Sequence, residues 1–413
     1  MWSCFTFHVC KPVFCDGKRK SRYSDIVNST KIMWVIILCL LALFAIYINH
    51  DNAAEQIIYS DYHLVLGRSI WNGTDYPASY PLWGYPVFVG LIDRLFFSSR
   101  DLLISSIQVS LALLSCLWVV LPKITRFRSI LLSPLFFPVF FHAAVKWADA
   151  IYVLCLIVLV GAIENYADKK PLKLLIIAGF LSAIASNFRP DFLYLSIFTL
   201  IISLILFLIS RQKFTFFLKV TGVIFLASFI SLIPWFIHSG SFNSTNGGLV
   251  FYISLGQLPD NPWGRVYNDH AGFEYAHAMN TEAYSPDGNK LLFQAALRDI
   301  KDFPFDYFLK VFHNLKSIFI RGIFGLDIPM FFLLFTILFA LVSIRRSQTL
   351  PFLFIISVLT FTIIWISMLQ YINRHLNCAY TLMLVHITTT LFNPLPQRFD
   401  SQRFGIDRPS LQK

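Results

Sequence analysis

Apolar runs with at most one charged residue recur along almost the whole chain, and they constrain its fold more than any other feature. Such runs occupy residues 32–48, 102–121, 129–144, 150–164, 172–187, 191–210, 218–237, 328–344, 350–369 and 376–392. About 20 helical residues cross a hydrocarbon core, and these runs approach that length. Lipid offers no partner to a bare peptide group, so segments of this kind are helices. The chain is 56% hydrophobic and 14% charged, whereas a soluble domain has about a quarter of its residues charged. The expected fold is an all-α polytopic membrane protein with about ten transmembrane helices.

The short connections sort into two kinds. One kind carries bare basic clusters: Lys123, Arg126 and Arg128; Lys169, Lys170 and Lys173; Arg211, Lys213 and Lys219; Arg345 and Arg346. Residues 1–31 are also basic, with Lys18, Arg19, Lys20 and Arg22. Basic short loops stay in the cytoplasm. The head 1–31 and the tail 393–413 are therefore expected inside, 49–101 is the first external loop of a transmembrane domain 32–237, and 328–392 holds the last spans. Residues 238–327 form an external segment. Its first part is rich in Asn, Asp and Pro and is expected to be loop-rich, with Gly247 and Gly248 allowing motion. Its second part has apolar residues at helical spacing, including Leu297, Phe308 and Phe312. An amphipathic helix pair on the membrane, broken near Pro304, is expected there. Residues 82–97 are apolar but hold Asp93 and Arg94. A charge at mid-bilayer costs about 2.5–3.5 kcal/mol, so this is expected to be an external juxtamembrane helix.

The net charge of +11 follows from this topology. Nucleic-acid binding needs a clustered basic face, and none is present. Cys39, Cys116, Cys155 and Cys378 lie in or beside apolar runs and read as small core residues. Cys4, Cys10 and Cys15 flank His8 at spacings that fit no standard zinc pattern.

The connections of the second kind collect a different set of charges. Asp61, His63 and Arg68 lie in the first external loop. Lys146 and Asp149 lie in KWADA, Arg189 and Asp191 in NFRPD, and Arg374 and His375 in YINRHLN. Any one of them alone suits an interfacial anchor. Together at one membrane edge, with acids beside the bases, they suit transfer of a group from a phosphate-bearing lipid. A carboxylate takes the proton of an acceptor hydroxyl, and a cationic pocket receives the departing phosphate.

With those residues located, the chain resembles the GT-C class of integral-membrane glycosyltransferases, which includes protein O-mannosyltransferases and aminoarabinose transferases. The resemblance covers roughly residues 32–392. It rests on Asp61 after the first span, the passage Gly73, Tyr76, Pro77, Tyr80, Pro81 and Leu82, Asp149 opening a span, the Arg189-Pro190 turn, the large loop after the seventh span, and Arg374-His375 before the last. It implies that Asp61 is the catalytic carboxylate, and that Arg374, Arg189 and Lys146 contact the carrier phosphate. His63, Arg68, Asp149 and His375 complete the candidate substrate-binding set. The O-mannosyltransferases have an acidic pair where this chain has Asp61-Tyr62. Metal-dependent relatives have Asp-x-Asp where it has Asp61-Tyr62-His63. No cofactor is expected; a divalent metal held by Asp61 and His63 is the alternative.

The implied donor is a sugar on a polyprenyl phosphate, the acceptor a lipid, glycan or protein, and the location a bacterial inner membrane with the site on the outer side. Two other readings remain open at this point. A polymerase or ligase of undecaprenyl-linked glycans also has many spans and external arginines, but does not need an Asp just after the first span. A transporter or scaffold would place polar residues at mid-span.

Overall fold

The computed structural model describes residues 17–51, 63–74, 76, 82–96, 100–145, 148–167, 169–240, 242, 246–320, 331–345, 349–368 and 373–392. Among these, all regular structure is helical. In chain order the α-helices are α1 (Gly17–Asp51), α2 (63–71), α3 (Gly84–Leu95), α4 (Arg100–Val120), α5 (Phe137–Ala144), α6 (Ala148–Tyr166), α7 (Pro171–Phe188), α8 (Asp191–Ile209), α9 (Arg211–Ser239), α10 (Gly247–Ser254), α11 (Asp269–Ala278), α12 (Pro286–Asp302), α13 (Pro304–Ile320), α14 (Phe331–Arg345), α15 (Thr349–Met368) and α16 (Asn373–Phe392). Eight helical stretches of the described residues are long and apolar enough to cross a membrane, with shorter apolar helices at Leu334–Ser343 and Cys378–Leu391. The chain is an all-α polytopic membrane protein.

The structure departs from the sequence-based expectation at two places. The run 129–144 is not one α-helix. Phe127–Phe136 is a 3₁₀ segment containing Pro134, and α5 follows it directly. Pro134 has no N–H to give an α-helical ladder. Ten 3₁₀ residues rise about 20 Å and eight α-helical residues about 12 Å, so together they still match the thickness of the core. The second departure is in segment 238–327. Its first part contains α10 and α11 and has a core of its own, in which Tyr252, Ile253 and Leu255 meet Leu292 and Ala296 of α12. Gly248 is locked there. Its N–H donates to Asn289 Oδ1 at 2.5 Å, and a Cβ on it would lie 1.9 Å from Asn289 O. Pro304 does separate the two later helices, as expected, and opens α13.

Helix α6 is the centre of the bundle, with nearly every residue from Asp149 to Ile163 buried. Around α7, α8 and α9 the contacts are made by short side chains. Ser182, Ser196, Thr199, Ser203, Thr221 and Ser228 are all buried, and Ser203 Oγ meets Thr221 Oγ1 at 2.7 Å. Short residues let helices approach closely where lipid removes the hydrophobic drive for association.

Hydrogen bonds between helices fix which ends lie together. Trp34 Nε1 donates to Ser129 Oγ at 2.9 Å. Ser105 Oγ donates to Ala144 O at 2.8 Å, and Asn49 Nδ2 reaches Phe141 O at 3.5 Å. The end of α1, the start of α4 and the end of α5 therefore share one end of the bundle. Helix α3 has 12 residues and rises about 18 Å, too little to span.

Candidate functional site

The turn Arg189-Pro190 organises the site. A residue before proline is pushed out of the α region, and Arg189 is extended at φ −140°, ψ 114°. This ends α7, whose last carbonyls still accept the Arg189 N–H through Ala185 O at 2.8 Å. Pro190 then leads into α8 with Asp191 in its first turn. Asp149 occupies the first turn of α6. Both carboxylates thus sit at helix N-termini, where the backbone favours negative charge.

The guanidinium of Arg189 lies between them. Its Nε and Nη2 donate to the two oxygens of Asp191 at 2.9 and 2.7 Å, and its Nη1 is paired with Asp149 Oδ1. Its charge also lies 5.6 Å from the centre of the Tyr152 ring. A cavity of about 20 Å³ adjoins this cluster. Asp149, Tyr152, Arg189 and Asp191 line it on one side, and Phe361, Thr362 and Trp365 of α15 with Cys378 of α16 on the other. The space suits about one water molecule. The cluster and its cavity are thus built by residues of α6, α8, α15 and α16 and by the turn that ends α7.

Helices α2 and α3 are built onto the same end. Trp83 Nε1 donates to Asn187 Oδ1 at 2.6 Å, and Tyr85 and Phe88 contact the Phe188 ring at 6.3 and 6.4 Å between centroids. Gly84 abuts α7 so closely that a Cβ would lie 2.4 Å from Asn187 O. Helices α2 and α3 cross backbone to backbone: a Cβ on Gly67 would lie 2.3 Å from Pro86 O, and one on Gly90 2.7 Å from Gly67 O. One apolar cluster joins Leu64, Tyr85, Val89 and Ile92 to Ala148 and Phe188, the residues next to Asp149 and Arg189.

The other expected site residues fall as follows. His63 is buried and stands edge-on to Tyr85 at 5.0 Å. Burial lowers its pKa to about 4, so the ring is neutral at pH 7. Arg68 forks onto Asp93 at 2.8 and 3.0 Å, with Arg100 reaching the same carboxylate at 3.4 Å. The Arg68 hydrogen bond, against some desolvation, holds the Asp93 carboxyl below its usual range. Neither His63 nor Arg68 lines the cavity. Arg374 and His375 lie in the first turn of α16, four and three positions ahead of Cys378. Asp61 and Lys146 lie outside the described residues. Among the described residues no group of three or more His, Cys, Asp or Glu is placed to hold a metal.

Structure adds Asp191, Tyr152, Trp365 and Cys378 to the site. Asp191 was visible beside Arg189, and Tyr152 is one turn on from Asp149. Nothing in the sequence ties Trp365 or Cys378 to residues some two hundred positions earlier. Comparisons of the chain with protein-family models, with curated proteins and with solved structures returned no match.

Proposed function

We propose that the chain is a GT-C-like glycosyltransferase that moves a sugar from a polyprenyl phosphate to an acceptor hydroxyl. One observation carries this reading: the first-loop helices α2 and α3 seat on the end of α7, beside the turn where Arg189 holds Asp149 and Asp191. Acidic and cationic groups from distant segments meet at one end of a lipid-embedded bundle, as a lipid-borne substrate would require.

In the proposed reaction the acceptor oxygen attacks the anomeric carbon, the bond from that carbon to the phosphate oxygen breaks, and the electron pair leaves with the carrier phosphate. Asp61 takes the hydroxyl proton; this role rests on its place in the sequence, two residues ahead of α2. Arg189, Lys146 and Arg374 are assigned to the phosphate, whose charge suits the forked donors of Arg. Arg189 is engaged by two carboxylates, so a phosphate there exchanges with one of them. The site is placed on the periplasmic side of a bacterial inner membrane, following the basic short loops.

The test uses purified full-length protein in liposomes with polyprenyl-phosphate-linked sugars labelled in the sugar. Loss of label from the carrier, with release of polyprenyl phosphate, is the expected result. Retention of label across a panel of sugars and acceptors, or growth of polymer on a carrier diphosphate, overturns the proposal. Single-cysteine labelling tests the sidedness: reagent access to 123–128 from outside would reverse it.

A further inference from the structure

Helix α13 is built the wrong way round for water. Lys310 and Asn314 are fully buried and Ser317 nearly so, and at spacings of four and three they form one face of the helix. Phe308 and Phe312 stand two positions either side of Lys310, about 200° around the helix. They are 63% and 59% exposed, and Phe305 is 69% exposed. A helix on the surface of a soluble domain places its apolar stripe inward and its charges outward.

The polar face has a partner. Lys310 Nζ and Tyr307 Oη donate to Met368 O at 2.8 and 2.9 Å. Asn314 Nδ2 donates to Ser367 O at 3.3 Å and to Gln257 Oε1 at 3.0 Å. Met368 O and Ser367 O belong to the last described turn of α15. Met368 is the last described residue of a helix long and apolar enough to cross a membrane, so the contact sets the middle of α13 beside that end of the described span. Ile364 and Met368 of α15 are themselves outward-facing and apolar, and the phenylalanines of α13 continue that surface.

We infer that α13 is seated in the bilayer, with Phe305, Phe308 and Phe312 among lipid chains and its polar face clasping the end of α15. The partner of this surface is lipid, and the inference stands whether or not the chain transfers sugars. Burial pushes the Lys310 amine down to about 7, in keeping with an amine removed from water. Because Phe361, Thr362 and Trp365 wall the cavity from the last two turns of α15, the clasp joins that wall to a lipid-seated helix.

The experiment places p-benzoylphenylalanine singly at positions 305, 308 and 312 of the full-length protein in liposomes, with positions 298 and 301 of α12 as exposed controls. Irradiation is expected to give adducts carrying the mass of a phospholipid at the three α13 positions and not at the controls. Adducts to a second copy of the chain or to another protein overturn the inference, as does an absence of adducts at all three. A second variant keeps the test independent of the probe sites. F308D with F312D is expected to reduce the lipid adduct at position 305 at least tenfold, well within the roughly 70-fold or more that one charge at mid-bilayer implies; an unchanged adduct would count against seating by this face.

Discussion

Two charged clusters are buried in α6's surroundings, at its opposite ends. Near the start, Asp149 and Asp191 share Arg189 beside a cavity, and the three side chains keep 7–14% of their exposure. Near the finish, Glu164 Oε1 meets His386 Nδ1 at 2.8 Å, with side-chain exposures of 4% and 0%. There the partners are complete: Thr389 Oγ1 donates to Glu164 at 3.1 Å and Ser343 Oγ meets His386 Nε2 at 3.1 Å. The two clusters are about 22 Å apart along the helix, at 1.5 Å per residue. The first is formed at a turn and has space next to it. The second joins α6, α14 and α16 within the bundle, with both ring nitrogens of His386 engaged. A buried charged group alone therefore does not mark a site; adjoining space separates a place where something can bind from a helix-register clasp.

The largest expected effect tests whether chemistry belongs only to the first end. Asp61→Asn keeps size and most capping ability, and loss of a general base lowers rate by about 10²–10⁴. Expression and carrier binding should be normal and transfer nearly absent. Transfer within a few-fold of the parent would remove Asp61 from the mechanism and move the role to Asp149 or to Asp75, which lies outside the described residues.

Next comes the clasp itself. Glu164→Ala removes one partner of a buried pair, a change that costs about 3–5 kcal/mol, and should lower the thermal unfolding midpoint sharply. Glu164→Gln keeps an acceptor for Thr389 and should recover much of that loss, with turnover of the folded fraction unchanged. A Glu164→Gln protein that unfolds normally but has lost turnover would make the second cluster functional and erase the contrast.

Two smaller effects probe the helices that cover the first end. Gly90→Ala forces a methyl into the α2–α3 crossing, and overpacking costs about 1–3 kcal/mol. The measurement is the unfolding midpoint, compared with Gly222→Ala, where nothing lies within 4 Å of the added carbon. Equal midpoints would mean that α2 and α3 do not cross so tightly. His63 supplies the pH dependence. Its folded pKa is lowered from 6.5 to about 4, so between those values the unfolded chain holds a proton that the folded chain does not. Stability is complete above pH 6.5 and falls as pH drops toward 4, by roughly 1.4 kcal/mol per pH unit. Unfolding midpoints of the parent and of His63→Phe across that window should diverge; parallel curves would show that His63 is not buried.

Asp149 and Arg189 were legible as candidates because charge at the ends of apolar runs stands out, and because Arg-Pro announces a turn. His63 and Arg68 stood out equally, yet the fold gives one to an aromatic contact and the other to Asp93. Their residue types were the same in either setting; only the packing of α2 on α3 distinguishes them. Glu164, His386 and Lys310 gave no signal, since a lone polar residue in an apolar or amphipathic run reads the same whether it is clasped or solvated.

The sequence by itself determined that the chain crosses a membrane many times and where most of its helices lie. These follow from residue-by-residue transfer between water and lipid, which is local and additive along a run. Tertiary structure alone decided that 247–302 packs a core of its own and that α13 turns its lysine inward and its phenylalanines out. It also decided which charges meet. Those outcomes depend on contacts between segments tens to hundreds of residues apart, and hydropathy carries no information about which apolar helix lies beside which.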